Sequence, residues 1–119
     1  MRVIRYLCGD MYYVSKKIRI AASHRLVVDY PTPCARPHGH NYEIEVFCRA
    51  EELDANGMVV DFKTIKERVT DRLDHHDLNE VLPFNPTAEN LAHWICEQIP
   101  HCYKVIVKET SDNTATYEL

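Results

Sequence analysis

The sequence has no excess of positive charge. It contains 14 Lys and Arg against 18 Asp and Glu, which gives a formal net charge of −4. General binders of nucleic acids or membrane surfaces need clustered cations, because these cations replace the counterions of the phosphate groups. We therefore expect neither a nucleic acid nor a membrane as a partner. The net charge does not exclude a local basic pocket.

A long apolar run is also lacking near the start of the chain. Charged side chains interrupt the first twenty residues, namely Arg2, Arg5, Asp10, Lys16 and Lys17. A signal peptide or a membrane-spanning helix requires an unbroken apolar stretch. We therefore expect a cytoplasmic protein with neither segment.

The cysteines form no Cys-x-x-Cys motif. They are five in number and scattered along the chain, which fits reduced thiols better than a disulfide framework. Cys48, Cys96 and Cys102 are expected to pack as small hydrophobic side chains. Cys34 is the exception, because it stands four residues before a His-x-His pair.

Internal repeats, low-complexity segments and linkers are absent. The 119 residues fit one domain, near the size at which oligomerisation adds useful burial. Apolar residues make up 45% and charged residues 27%, as in ordinary globular proteins. We expect one domain over residues 1–119, with residues 1–10 as a candidate dispensable leader.

Two segments with period-two alternation predict a pair of antiparallel strands. The first runs from Tyr12 to Arg25, and the second from about His38 to Ala50. The segment between them contains three prolines, which cannot donate to a strand ladder, so we predict a loop that carries Cys34. The apolar parity of the two strands is shared by Ile18, Ile20, Ala22 and His24 and by His40, Tyr42, Ile44 and Val46.

Three histidines meet at one end of this predicted pair. His24 ends the first strand, and His38 and His40 begin the second, so antiparallel pairing brings them together. Three neutral imidazoles with an open fourth position are the usual ligand set of a catalytic zinc ion (Zn2+). The alternative is three unrelated polar residues.

Two helices and two further strands are predicted downstream. Asp61 and Thr87 are suitable N-caps, and Pro100 ends the second helix. The helical apolar stripes are Phe62, Ile65, Val69 and Leu73, then Ala88, Leu91, Ile95 and Ile99. The last strands cover residues 103–109 and 114–119, with Tyr103, Val105, Val107 and Glu109 on one face.

The predicted order is therefore β-β-α-α-β-β, an α+β fold with a four-stranded antiparallel sheet and two helices on one face. We expect the histidines and Glu109 to lie on the sheet face that the helices leave uncovered, where a ligand or a partner subunit would cover them. A buried carboxylate such as Glu109 must be paired or bound, since burying it alone is costly.

A polar run, Leu73 to Asn79, follows the first helix. Within it Asp74 and His75 can form a proton relay, in which the carboxylate orients the imidazole. A surface carboxylate at Asp74, a salt-bridged Glu109 and an inert loop thiol at Cys34 are the alternatives. Three other histidines have weaker claims and are left out of the site, namely His76, His93 and His101.

Six short motifs, in order over residues 11–119, resemble the 6-pyruvoyltetrahydropterin and 6-carboxytetrahydropterin synthase family. They are Ala21-Ala22-Ser23-His24-Arg25-Leu26, Cys34-x-x-x-His38-Gly-His40-Asn41-Tyr42, Asp61-Phe62, Leu73-Asp74-His75-His76-Asp77-Leu78-Asn79, Pro86-Thr87-Ala-Glu89-Asn90 and Lys108-Glu109-Thr110. The resemblance implies a tunnelling fold, in which monomer sheets join into barrels. It also implies a homohexamer of two trimers with active sites between subunits.

The resemblance implies a role for each candidate residue. Cys34 would be the catalytic thiol, Asp74 and His75 its relay partners, and Glu109 the anchor of the pterin substrate. His24, His38 and His40 would be the zinc ligands. Ser23 departs from the family pattern, where alanine commonly precedes the first histidine, and it faces away from the ligand parity.

The spacing of three residues between Cys34 and His38 is similar to the carboxy-forming branch of the family, which serves queuosine precursor synthesis. The enzymes of that branch are lyases that convert 7,8-dihydroneopterin triphosphate into 6-carboxy-5,6,7,8-tetrahydropterin, acetaldehyde and triphosphate. The pyruvoyl-forming elimination is the alternative product. A non-catalytic zinc-binding assembly module is the alternative of a different class.

Overall fold

Two long strands begin the computed structural model, which describes residues 9–119. Strand β1 is Tyr12–His24 and strand β2 is His38–Ala50. They pair antiparallel along their whole length, with Tyr12 opposite Ala50 and His24 opposite His38. The predicted bounds agree to within one residue, because the alternation of apolar and polar side chains marks both strands. Cys8 and residues 1–8 of the candidate leader lie outside the described residues.

The sheet has four antiparallel strands in the order β1-β2-β3-β4. Strand β3 is Cys102–Lys108 and strand β4 is Thr114–Glu118. The prolines of residues 31–37 stay outside the ladder, and a single 3-10 turn, Pro33–Ala35, interrupts that connection. The predicted four-stranded antiparallel sheet is confirmed.

Helix α1 covers residues 62–73 without a break. It consists of an α-helical turn at Phe62–Ile65, a π-helical stretch at Lys66–Thr70 and a last α-helical turn at Asp71–Leu73. Asp61 caps it as predicted, since its Oδ1 accepts the backbone N–H of Lys63 at 2.9 Å. The buried residues of α1 recur every four positions, at Ile65, Val69 and Leu73.

Two further helices follow, α2 at Leu78–Val81 and α3 at Ala88–Gln98. Helix α2 was not predicted, because its four residues are too short for an apolar period to emerge from the polar run. Asp77 caps α2 by accepting the N–H of Asn79 at 3.1 Å. Thr87 caps α3, as predicted, by accepting the N–H of Asn90 at 3.1 Å.

The core lies between the helices and one face of the sheet. It joins the buried side chains Ile65, Val69 and Leu73 of α1 and Leu91 and Ile95 of α3 to the strand residues Ile18, Ile20, Ile44, Val46, Val105 and Val107. The prediction that Phe62 belongs to the buried stripe of α1 is wrong, because Phe62 is 45% exposed. Its ring lies at the rim of the core, 5.6 Å from the ammonium nitrogen of Lys16.

The predicted face of the histidines is also wrong. His24 continues the buried row of Ile18, Ile20 and Ala22, and only 1% of it is exposed. The histidines therefore lie on the helix-covered face, at its end. The uncovered face, which we call the open face, carries charged side chains such as Lys17 and Glu43, paired at 3.3 Å. Strict alternation along β1 requires this outcome, because one strand cannot place Ile20 and His24 on different faces.

Tyr103 is a second correction. Val105 and Val107 are fully buried, but the ring of Tyr103 contacts Tyr13 and Phe47 of the open face, with centroids 6.0 and 6.4 Å away. The register shifts between Phe47 and Cys48. Such a bulge adds a residue to one strand and changes the alternation beyond it.

Three cysteines are buried, as predicted, because Cys48, Cys96 and Cys102 are only 1%, 5% and 8% exposed. Burial raises the pKa of the Cys96 thiol to about 12. Among the described residues no helix is both long enough and apolar enough to span a membrane.

Candidate active site

The histidine triad (His24, His38 and His40) forms at the shared end of β1 and β2. One ligand atom from each residue lies within 4.8 Å of the other two. The ring centroids are 4.6 Å apart for His24 and His38, 5.1 Å for His24 and His40, and 4.9 Å for His38 and His40. The pairing register produces this cluster, since His24 lies opposite His38 and His40 follows two residues later. The predicted convergence is confirmed.

Backbone carbonyl groups set the orientation of two of these rings. The Nδ1 atom of His24 lies 2.8 Å from the carbonyl oxygen of Pro86, and Nδ1 of His38 lies 2.8 Å from that of Arg36. A carbonyl oxygen only accepts, so each Nδ1 must carry the hydrogen. In the neutral form of each ring, the lone pair is then on Nε2.

The free lone pairs fit a metal ion. Within the described part of the chain, Nε2 of His24 and Nε2 of His40 are buried and have no hydrogen-bond partner. A buried polar atom without a partner is costly. Metal-bound histidines characteristically donate their other ring N–H to a carbonyl or carboxylate, which is the arrangement of His24 and His38.

Glu109 stands beside the triad. Its Oε1 lies 3.3 Å from Nε2 of His40, although the oxygen is outside the direction needed for a hydrogen bond. Burial lowers the pKa of His40, and the nearby Glu109 carboxylate opposes that shift. His40 is therefore biased towards the neutral form that binds a metal.

Tyr42 lies beneath the triad and is 1% exposed. Its hydroxyl oxygen is 3.2 Å from Nδ1 of His24. Burial raises the pKa of Tyr42, and the charge of Glu109 adds to the increase, so the phenol stays protonated. Tyr42 was predicted on the parity of His40, but nothing in the sequence pattern indicated a role for its hydroxyl.

Cys34 lies on the 3-10 turn and is exposed. Its backbone is fixed, because its carbonyl accepts the N–H of Leu26 at 2.8 Å and its N–H donates to Oγ1 of Thr32 at 3.2 Å. Its sulfur is not part of the ligand cluster. The structure therefore keeps the thiol on the loop and separate from the three ligand atoms.

The relay pair (Asp74 and His75) is attached to the edge of β1. Asp74 Oδ1 accepts the N–H of Ala21 at 2.8 Å, and the N–H of His75 donates to the carbonyl of Ala21 at 2.7 Å. The second carboxylate oxygen lies 3.6 Å from Nε2 of His75, whose side chain is 83% exposed. His75 adopts a left-handed backbone conformation with φ of 61°.

The relay pair and the triad do not form one cluster within a chain. His75 lines a cavity of about 430 Å³ around the ends of β1 and β2, and one triad residue, His40, lines the same cavity. Within residues 9–119 the metal-ligand cluster contains the triad alone. The relay pair is therefore outside the ligand cluster, although His75 and His40 border the same cavity.

A second cavity, of about 610 Å³, opens next to Glu109. Its volume is in the range of pockets for small molecules, about 300–1,000 Å³. It lies between the segment after β1, the start of α3 and the β3–β4 turn, and its lining includes Leu26, Tyr30, Thr87, Glu89, Glu109 and Asn113.

The match to known proteins covers nearly all of the described chain. Residues 13–119 match the family model described as 6-pyruvoyl tetrahydropterin synthase. The chain belongs to this family. The relatives in this family are named as pterin synthases, and the chain is accordingly a lyase of pterin metabolism. The predicted family and the prediction of an enzyme are both confirmed.

Individual members of the 6-pyruvoyl tetrahydropterin synthase family align along most of their length. The 6-carboxy-5,6,7,8-tetrahydropterin synthase of Bacillus subtilis is 28% identical over 123 residues, covering 89% of this chain and 84% of the relative. The human 6-pyruvoyl tetrahydrobiopterin synthase is 32% identical over 130 residues, covering 88% and 90%. The structure of the Caenorhabditis elegans 6-pyruvoyl tetrahydropterin synthase has a TM-score of 0.74 at 27% identity, covering 92% and 96%.

Proposed function

We propose that the chain is a zinc enzyme that converts 7,8-dihydroneopterin triphosphate and water into 6-carboxy-5,6,7,8-tetrahydropterin, acetaldehyde and triphosphate. The product is a precursor of queuosine. The observation that carries the proposal is the convergence of three imidazoles, with two unpartnered buried Nε2 atoms, beside a carboxylate and a cavity of about 610 Å³.

The triad would hold zinc through the Nε2 atoms. When bound, the ion supplies Lewis acidity towards the hydroxyl groups of the substrate side chain. The carbonyl groups of Pro86 and Arg36 keep His24 and His38 in the required tautomer. The lowered pKa of His40 supports the same neutral form.

Glu109 would anchor the pterin ring. Its carboxylate would accept hydrogen bonds from the amino group and a ring N–H of the pterin. These bonds would orient the side chain of the substrate towards the triad. Its place in the lining of the larger cavity, 3.3 Å from His40, supports this role.

Cys34 and the relay pair would move the protons. Cys34 is exposed and free to approach the substrate from the loop, and as a thiolate it accepts a proton. Asp74 orients His75, which exchanges a proton on the other side of the substrate. Because Asp74 and His75 lie on the edge of β1 and outside the ligand cluster, we propose that a neighbouring subunit supplies this pair.

The proposed assembly is a homohexamer made of two trimers. Strands β1 and β4 are the two edges of the sheet, and an unpaired edge is a template for pairing with another chain. Native mass spectrometry measures the subunit number, and a monomer at micromolar concentration would contradict a site shared between subunits.

Product analysis tests the proposed reaction. The zinc-loaded protein is incubated with 7,8-dihydroneopterin triphosphate, and acetaldehyde and the pterin products are quantified. Acetaldehyde in equal amount to the carboxy product supports the proposal. A 6-pyruvoyl product without acetaldehyde would identify the alternative elimination, and bound zinc without turnover would identify the assembly module.

Two sets of variants test the roles of the residues. Cys34→Ala should abolish turnover and retain zinc, and unchanged turnover would contradict the proposed thiol. His38→Ala/His40→Ala should lose zinc, with His93→Ala as the control because His93 is exposed on α3. Stoichiometric zinc in the double variant would show that the ligand set is wrong.

A further inference from the structure

Asn85, which precedes the motif Pro86-Thr87-Ala-Glu89-Asn90 at the start of α3, has no role in the chemistry described so far. Its side chain clamps the segment that continues β1. Its Oδ1 accepts the N–H of Val27 at 2.9 Å, and its Nδ2 donates to the carbonyl of Val27 at 3.0 Å. One side chain therefore satisfies both backbone groups of a residue three positions after His24.

The backbone of Asn85 is fixed as firmly as its side chain. Its carbonyl accepts the N–H of Thr87 at 2.9 Å and the side-chain amide of Asn90 at 3.0 Å. The bond from Thr87 closes a three-residue turn around Pro86, whose ring restricts φ to about −65°. Thr87 is fixed in turn as the N-cap of α3.

Pro86 thus lies between two anchored residues, and its own carbonyl has a defined direction. That oxygen is 2.8 Å from Nδ1 of His24. It accepts the ring hydrogen and leaves Nε2 of His24, which is buried and unpartnered, directed into the triad.

We propose that Asn85 is a positioning residue for His24. It joins the strand that carries the imidazole to the turn that carries the carbonyl, so that the Nδ1–H tautomer is fixed before any ligand binds. The inference rests on the proposed role of His24 as a metal ligand. It assigns the α3 motif the task of setting that ligand's tautomer.

The expected effect is large for a residue that touches no ligand atom of the metal. Loss of a partner that orients a metal-bound histidine typically weakens metal affinity by about 10–100-fold. Asn85→Ala removes both bonds to Val27. The bonds to its carbonyl from Thr87 and Asn90 remain, so the turn loses only its attachment to the segment after β1.

Asn79→Ala is the matched control. Asn79 clamps Arg25 in the same way, with bonds of 2.8 and 3.0 Å, and Arg25 is closer to His24 in sequence. Asn79, however, is not attached to the carbonyl that accepts from His24. If the clamp acted only by fixing the segment after β1, both variants would have equal effects.

The first readout is the His24 tautomer in metal-free protein, measured by long-range ¹H–¹⁵N NMR at about pH 8, where imidazoles are neutral. The wild type and Asn79→Ala should show Nδ1–H alone, and Asn85→Ala a mixture of tautomers. The second readout is zinc affinity by chelator competition, with a loss of about 10-fold or more in Asn85→Ala only.

An unchanged tautomer in Asn85→Ala, or an equal loss of affinity in both variants, would overturn the proposal. Since the tautomer is measured without metal, its result does not depend on the proposed reaction. If Asn85→Ala does not fold, Asn90→Ala decides, because it removes only the amide that bonds the Asn85 carbonyl. A mixed tautomer is then expected, and an unchanged one refutes the role.

Discussion

Asp74 combines an observed structural contact with a proposed chemical role. Its Oδ1 accepts the N–H of Ala21 at 2.8 Å, which holds the segment after α1 against the edge of β1. Its Oδ2 faces His75 at 3.6 Å in the proposed relay. Asp74→Ala removes both functions, and Asp74→Asn keeps an oxygen for Ala21 but removes the charge.

The magnitudes follow from these contacts. Asp74→Ala leaves a half-buried backbone N–H without its partner, which costs about 1–3 kcal/mol of the free energy of unfolding. The second bond to Ala21, from the N–H of His75, remains. Asp74→Asn exchanges a charged acceptor for a neutral one, so we expect a loss of about 1 kcal/mol or less.

Turnover should not follow stability. A positioned general acid or base contributes about 10²–10⁴-fold to a rate, so both variants should lose activity to a similar extent. Urea denaturation measures the first effect, and the initial rate of product formation measures the second. Asp71→Ala is the control, since Asp71 pairs with exposed Lys66 at 2.8 Å and such surface pairs contribute about 0–1 kcal/mol.

Either of two results would refute the reasoning. If Asp74→Ala is as stable as the wild type, the bond to Ala21 does not hold the segment. If Asp74→Asn retains full turnover, the carboxylate is not part of the relay. Loss of turnover in Asp74→Ala alone would reduce Asp74 to a structural residue.

Four other residues give further predictions. Tyr42→Phe removes the longer of two oxygen contacts to His24 Nδ1, at 3.2 Å against 2.8 Å for the Pro86 carbonyl. The free energy of unfolding should decrease by about 0.5–1.5 kcal/mol. The His24 tautomer measured by NMR should be unchanged. Iodoacetamide should label Cys34 in the native protein and Cys48 only after unfolding, as peptide mapping by mass spectrometry will show, because only the first is exposed. Burial lowers the pKa of His40, so below about pH 6.5 the unfolded metal-free protein binds more protons than the folded protein. The free energy of unfolding should therefore decrease as the pH is lowered below this value. The decrease should be smaller in His40→Gln.

Local sequence pattern was enough to predict the strands, the helix caps and the convergence of the three histidines. These features depend on local rules: alternation gives β1 and β2, an Asp or Thr before an apolar stripe gives a cap, and antiparallel pairing brings His24 to His38. The same alternation also required His24 to lie on the buried face of Ile20. The prediction that the histidines lie on the uncovered face was inconsistent with this requirement.

The surroundings of the site could not be predicted from local pattern. The carbonyl of Pro86 orients His24, but a backbone oxygen has no signature in the sequence. The bulge that moves Tyr103 to the open face arises from the register between β2 and β3, which are distant in sequence. Asp74 was found through its chemistry, yet its bond to Ala21 depends on how α1 meets the edge of β1. Long-range contacts of this kind follow from packing, and local pattern does not encode them.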